Sequence, residues 1–225
     1  MKPVCLVLGA GAGIGGTVAA KFANEGYHAH LCRRTDQEGL DKLIQGIEDS
    51  GGSASGSLIN AIEEDVLEEL ITTVESDIGP IEVMVYNLGA QTGMKLLSKT
   101  TTKEFEWGWR IASLGLFRVA KVLCPIMADR GKGTFLVTSA TAAMRGNATQ
   151  HSHAAAMGAR RMLCQSLNAE FASKGIHVAH IVVDGAVDAP DTLGKMLGPE
   201  MYQQLRETKG MEHDGLLLPK EIAET

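Results

Sequence analysis

Residues 9 to 16 read Gly-Ala-Gly-Ala-Gly-Ile-Gly-Gly, and they follow the apolar run Val4-Cys5-Leu6-Val7-Leu8 and precede the helical run Thr17 to Glu25. A buried strand entering a glycine-rich turn that opens a helix is the start of a βαβ unit that binds dinucleotides. Positions without side chains let backbone N–H groups approach a pyrophosphate at the positive end of the helix. Gly9, Gly11, Gly13, Ile14 and Gly15 are therefore candidate contacts. Two registers are open, Gly11-x-Gly13-x-x-Gly16 and Gly9-x-x-x-Gly13-x-Gly15. A turn needed only for tight helix-strand packing is the competing reading.

A nicotinamide dinucleotide requires something at the end of the second strand. An acid there bonds the ribose hydroxyls of NAD, whereas cations there accept the 2′-phosphate of NADP. This strand ends Cys32-Arg33-Arg34. Two guanidiniums able to grip phosphate bidentately favour NADP over NAD. The alternative makes Arg34 a surface charge pairing with Asp36 or Glu38.

The elements that must position these residues alternate. After the first helix, Tyr27 to Cys32 reads as a strand, Asp36 to Glu48 as a helix, Ala54 to Ile59 as a strand and Glu64 to Ile78 as a helix. Ile81 to Tyr86 is a fourth strand, Thr102 to Arg130 a long helix, Gly133 to Ser139 a fifth strand, His153 to Ser173 a helix and Ile176 to Val183 a sixth strand. Alternation of this kind predicts an α/β fold, a Rossmann-like doubly wound parallel sheet in three layers. Pro190 to Lys209 reads as a lid loop with one or two helical turns, its movement permitted by Gly194, Gly198 and Gly210. Pro219 to Thr225 reads as the start of a helix, as though a C-terminal helix and last strand were missing.

The whole of 1–225 is expected to be one domain, since 225 residues with 44% hydrophobic content can bury a sizeable core. A formal charge of −6 without a basic cluster larger than Arg33-Arg34 argues against nucleic acid or an anionic membrane as partner. Strand residues begin immediately after Met1-Lys2-Pro3, and no uninterrupted apolar run reaches a membrane span, so a cytoplasmic protein is expected. Cys5, Cys32, Cys124 and Cys164 lack metal-ligand and redox spacing and read as buried thiols. His177, His180 and His213 suggest no metal site.

With these residues in view, the chain resembles the short-chain dehydrogenase/reductase family along essentially its whole length. Gly9 to Gly15 matches the family's nucleotide loop. Tyr86-Asn87-Leu88-Gly89 is similar to its Asn-Asn-Ala-Gly segment, Gly115 to Met127 resembles its long interface helix, and Asp184-Gly185 stands at its Pro-Gly. The resemblance implies cofactor roles for Asn87 and Gly89, and puts Asn60 where an Asp near adenine is usual. It also implies hydride exchange with a small carbonyl or alcohol, using an Asn, a Ser and a Tyr-x-x-x-Lys pair. These fall on Ala112, Ala140, His153 and Met157. Loss of an oriented donor costs ~10² to 10³ in rate and loss of a general acid a further ~10² to 10⁴.

His153 is the one conceivable replacement proton donor. The bland alternative is that His151 and His153 simply begin a helix. Two functions stay open: an NADP(H)-dependent oxidoreductase with a degenerate site, or a dinucleotide-binding sensor or partner subunit without hydride chemistry. The resemblance also implies a homodimer or homotetramer built on the two long helices, with Ala154, Ala155, Ala156, Gly158 and Ala159 allowing close approach, unless those residues pack on the protein's own sheet. Trp107, Trp109, Met144, Met196 and Met201 hint at an apolar pocket.

Overall fold

A computed structural model describes residues 1–89, 93–211 and 216–225. Among these, six parallel strands form one sheet in the order β3-β2-β1-β4-β5-β6. The strands are β1 (Val4–Leu8), β2 (His28–Arg33), β3 (Ser53–Leu58), β4 (Ile81–Tyr86), β5 (Gly133–Ala140) and β6 (Ile176–Val183). The order runs outward in both directions from the β1/β4 pair, so the strand ends diverge there and leave a crevice.

Helices α1 (Ile14–Asn24) and α2 (Gln37–Asp49) cover one face. Their Ala19, Ala23, Leu40 and Ile47 pack on Cys5, Val7, Leu31 and Val85. The other face holds the larger cluster, where α3 (Val66–Thr73), α5 (Gly115–Arg130) and α6 (His151–Phe171) bring Leu67, Leu116, Leu123 and Leu167 onto Leu6, Leu8, Met84 and Phe135. Full burial of β1 on both faces explains its unbroken apolar sequence. All four cysteines are free and buried in this core, and burial pushes the Cys164 thiol up to about 11.

The expected helix Thr102–Arg130 is continuous but not uniform. α4 (Thr102–Trp109) begins with a capping box between Thr101 and Glu104, and a π-helical turn, Arg110–Leu114, joins it to α5. By length and composition this stretch could cross a bilayer, yet half of its most apolar window is buried inside the fold. Leu116, Val119, Leu123 and Met127 belong to the core, whereas Phe105, Trp109 and Phe117 are exposed.

The segment after β6 corrects the expected loop. A π-helical turn, Pro190–Gly194, leads through the short α7 (Lys195–Leu197) into α8 (Pro199–Met211), thirteen residues long. The polar composition of α8 carries little helical periodicity, which is why it reads as loop. Val187 bridges Leu217, with Asp188 N–H donating to the Leu217 carbonyl at 2.8 Å and Leu217 N–H to Ala186 at 2.9 Å. Tyr202 donates its hydroxyl to the Asp188 carboxylate, which also pairs with Arg206 at 3.2 Å. These contacts fasten α8 to the exit of β6. α9 (Pro219–Glu224) lies against α1, where Lys21 meets Glu224 at 2.9 Å. His213 lies outside the described residues.

Ser53-Ala54-Ser55-Gly56-Ser57 alternates by design of the pleat. Gly56 lies under Leu40 and Ile44 of α2, and the serines face the other way. There they form a ladder with β2: Ser53 Oγ–His28 Nδ1 2.8 Å, His28 Nε2–Ser55 Oγ 2.7 Å, Ser55 Oγ–His30 Nδ1 2.8 Å, and His30 Nε2–Ser57 Oγ 3.1 Å.

Candidate functional site

β1 delivers the chain to Gly9, whose φ of +91° is a left-handed conformation that favours glycine. The N–H groups of Gly9 and Ala10 both bond the Cys32 carbonyl at 2.9 Å, fixing the turn to the end of β2. A Cβ at Gly9 would strike the Asn87 carbonyl, and one at Gly15 would strike the Gly9 carbonyl. Gly16 is closed by the Gly11 carbonyl and Leu43, whereas a Cβ at Gly11 would meet open space. Packing therefore requires glycine at 9, 15 and 16, while Gly11 faces the opening. Both glycine registers contain a structurally required member, and packing and ligand access are served by different glycines. α1 begins beyond Gly13 with no side chain capping it. Gly16 N–H bonds the Gly11 carbonyl at 2.8 Å, while Gly13, Ile14 and Gly15 line the crevice at the positive end of the helix dipole.

Asn87, just past β4, clamps this loop. Its Nδ2 donates to the Gly9 carbonyl at 2.9 Å, its backbone N–H to Leu8 at 2.9 Å, and its Oδ1 accepts from Thr138 of β5 at 2.8 Å. The carboxyl ends of β1, β4 and β5 are thereby tied together.

A cavity of about 650 Å³ opens over these strand ends. Gly9, Gly11, Gly13, Ile14, Gly15, Arg33, Arg34, Asn60, Asn87 and Gly89 all line it, so the structure gathers every expected cofactor residue around one space. Among the described residues its charged lining is Arg33 and Arg34. The expected surface pairing falls on the other arginine: Arg33 meets Asp36 at 2.9 Å, and Glu38 pairs with Lys42 at 2.7 Å. Asn60, at the edge of the cavity, donates its Nδ2 to Glu63 at 2.8 Å. Of the five aromatic and methionine residues expected near a pocket, Trp107 lines this cavity, whereas Trp109, Met144, Met196 and Met201 are exposed.

A second cavity, about 230 Å³, shares Ile14, Asn87, Leu88, Gly89 and Val187 with the first. His153, Met157 and Arg160 reach it from one face of α6, at the i, i+4, i+7 spacing that aligns helical side chains. Ala140 lines it as well. Ser139 does too, but its hydroxyl contacts the Met157 sulfur at 3.6 Å. Ala112 stands on the π-helical turn, and Ser113 beside it donates to the Ala156 carbonyl at 3.0 Å. Ala154 and Ala156 pack on Ala112 and Ala142, so part of the small-residue stretch serves the protein's own core.

Arg160 is a functional candidate that sequence reasoning misses. It is 2% exposed. Nε donates to the Ala112 carbonyl at 3.0 Å, Nη1 to Thr138 at 2.7 Å and Nη2 to Leu88 at 2.7 Å, while the guanidinium lies 5.2 Å from the centre of the Tyr86 ring. Burial pulls its pKa below the usual arginine value. Carbonyl dipoles and a ring face are its partners, and among the described residues no carboxylate pairs with it. The only sequence signal is its place seven residues after His153.

The pattern that defines short chain dehydrogenases matches residues 3–194. The chain belongs to that family, whose members are oxidoreductases that bind NAD(P). Among curated proteins it is similar to the 3-oxoacyl-(acyl-carrier-protein) reductase of Thermotoga maritima, 27% identical over 189 residues that cover 84% of this chain and 76% of that protein. It is also similar to the short-chain reductase protein NovJ of Streptomyces niveus, 29% identical over 227 positions, 100% of this chain and 85% of that one. Two crystal structures share the fold at TM-score 0.84. One, assigned as a short-chain dehydrogenase/reductase from Burkholderia xenovorans, is 22% identical and covers 99% of this chain and 86% of its own. The other, assigned as an NAD(P)-dependent gluconate 5-dehydrogenase from Beutenbergia cavernae with NADP bound at low occupancy, is 18% identical and covers 98% and 86%.

Proposed function

We propose that the larger cavity binds NADP(H) and that the smaller cavity admits a small carbonyl or alcohol for hydride exchange. The observation that carries this reading is the convergence of ten expected cofactor residues on one cavity that continues into a second holding His153. The residues present fit the cofactor. Gly11 leaves open space where a side chain would stand, no side chain caps the start of α1, and two guanidiniums stand at the β2 end. The bound nicotinamide supplies a carbon that gives or takes hydride.

Everything else falls to the chain. The N–H groups at the start of α1 receive the pyrophosphate, Arg33 and Arg34 receive the 2′-phosphate, and Asn87 holds the loop rigid beneath them. Among the described residues that line the smaller cavity, His153 is the histidine, a residue type able to give and take a proton, so it moves the proton that accompanies hydride transfer. The Tyr and Lys positions implied by the family read as His153 and Met157, and its Ser position as Ala140. Met157 and Ala140 supply neither charge nor hydroxyl, and the route for the proton narrows to the imidazole.

A second reading has its own support. The Met157 sulfur takes up the nearby Ser139 hydroxyl, and Ala140 offers only a methyl, which suits a dinucleotide-binding sensor or partner subunit without turnover. Fluorescence titration with NADPH and NADH tests the shared premise, with tighter NADPH binding expected. A panel of small carbonyls then separates the two. Turnover that disappears in His153→Phe supports the oxidoreductase, full turnover in that variant removes histidine from the mechanism, and binding without oxidation of NADPH favours the sensor.

A further inference from the structure

The chain carries 27 acidic residues and a formal charge of −6. None of those acids is among the described residues that line either cavity, where the charged groups are Arg33, Arg34 and Arg160. The crevice is thus cationic at both ends on an acidic protein. Phosphate binding accounts for the two arginines at the β2 end. It does not account for Arg160, which lies at the other end with His153 and Met157.

Burying a guanidinium without a carboxylate is costly, because carbonyl dipoles replace only part of the lost hydration. Three of its five N–H groups are given to the Ala112, Thr138 and Leu88 carbonyls, leaving one on each terminal nitrogen. Those three bonds also hold the guanidinium still, so little freedom is lost when it meets an anion. A fixed positive charge beside a confined, largely apolar space attracts a negative group more strongly than the same charge in water.

We infer that the smaller cavity selects substrates carrying an anionic group, such as the carboxylate of a small oxo acid, and that Arg160 is its specificity-determining residue. This rests on the proposed oxidoreductase reading, for which it names the substrate class.

The experiment compares acetoacetate with acetoacetamide, and pyruvate with pyruvamide, pairs of similar shape that differ in charge. Binding to the full chain is measured by calorimetry at low ionic strength, with and without saturating NADP⁺. A charge-assisted hydrogen bond predicts that each acid binds about tenfold or more tightly than its amide. Arg160→Met should bring acid and amide to parity, and Arg160→Lys should retain part of the preference. Equal binding of acid and amide by the wild-type chain overturns the inference, as does an undiminished acid preference in folded Arg160→Met. So does a loss of equal factor for both probes, which marks an arginine that only braces the carbonyls. Where Arg160→Met does not fold, the Nε–Hε resonance of Arg160 in the wild type decides: it must shift with acid and not with amide. Failure of NADP⁺ to bind overturns the functional reading instead, and the acid-amide comparison without cofactor still decides the anion site.

Discussion

Acidification from pH 7.5 to 5 should destabilise this protein through the serine-histidine ladder between β2 and β3. His30 is 4% exposed. Burial, and then the neighbouring His28, lowers its pKa from 6.5 to about 4. His28 is lowered in the same direction, by burial first and then by Lys2, against the opposing pull of Glu48. A histidine whose folded pKa lies below its unfolded value stabilises the fold while it is neutral, so the contribution is complete above pH 6.5 and is lost as pH falls toward 4. At about 1.36 kcal/mol per pH unit the full loss from His30 is about 3 kcal/mol, of which about 2 kcal/mol is gone by pH 5. The window is clean of carboxylates. Asp36, Glu68, Glu104 and Glu224 all have lowered values, so their contributions disappear only at more acid pH. His180, lowered by burial and by Arg160 and Arg161, titrates in the same direction. For that reason the decisive quantity is a difference between proteins. Urea unfolding at half-unit steps should give a shallower dependence on pH for His30→Gln than for the wild type, with the curves converging as pH falls. Parallel curves, or an NMR titration of His30 with a midpoint near 6.5, would refute the reasoning.

Three other outcomes follow from the same geometry. Gly15→Ala places a methyl against the Gly9 carbonyl and the Ala10 Cα, and should lower the melting temperature and weaken NADPH binding at least about tenfold in a fluorescence titration. Removing the Arg118 guanidinium, as in Arg118→Met, breaks a two-bond pairing with Glu68 at 2.8 and 2.6 Å and a bond to the Glu63 carbonyl, with a loss of about 1–3 kcal/mol expected in urea unfolding. Buried thiols raised by desolvation should resist a thiol reagent in the native state at pH 8 and react only at the rate of unfolding, which a stopped time course with mass spectrometry would show.

Three apolar strands were the most legible elements. Val4–Leu8, Ile81–Tyr86 and Ile176–Val183 have the same limits in sequence and in structure, since apolar runs bounded by glycine, proline or charge leave little choice of register. Helix ends moved by a few residues. His151 rather than His153 opens α6, and Asp36 caps α2 rather than belonging to it. The π-helical turn at Arg110–Leu114 has no signature in sequence; within it the Ile111 carbonyl accepts the Tyr86 hydroxyl, from a strand 25 residues earlier. The residues proposed to hold the cofactor fall on one cavity because doubly wound topology brings every strand's carboxyl end to one edge. Arg160 was not legible, since its partners are backbone carbonyls from three distant segments, and a carbonyl leaves no mark in sequence.

The cofactor end of the crevice holds an internal competition that can be measured. Asp36 serves two purposes: Oδ1 accepts the Gly39 N–H at 2.9 Å as the cap of α2, and Oδ2 pairs with Arg33 at 2.9 Å. The Gly39 bond, followed by the Arg33 charge, holds its carboxyl below the usual range, so it is anionic at neutral pH. A 2′-phosphate arriving at Arg33 must share that guanidinium with a carboxylate and meet its charge at close range. Asp36→Asn keeps an oxygen for the cap and removes the charge. Because the carboxylate is 43% exposed, solvent screens it, and the gain in NADPH affinity should be modest, about three- to tenfold, with NADH affinity unchanged. The gain should shrink as salt is added. If Asp36→Asn left NADPH binding unaltered while Arg34→Ala abolished the preference for NADPH, then Arg34 alone would carry the phosphate and Arg33 would belong to the cap of α2.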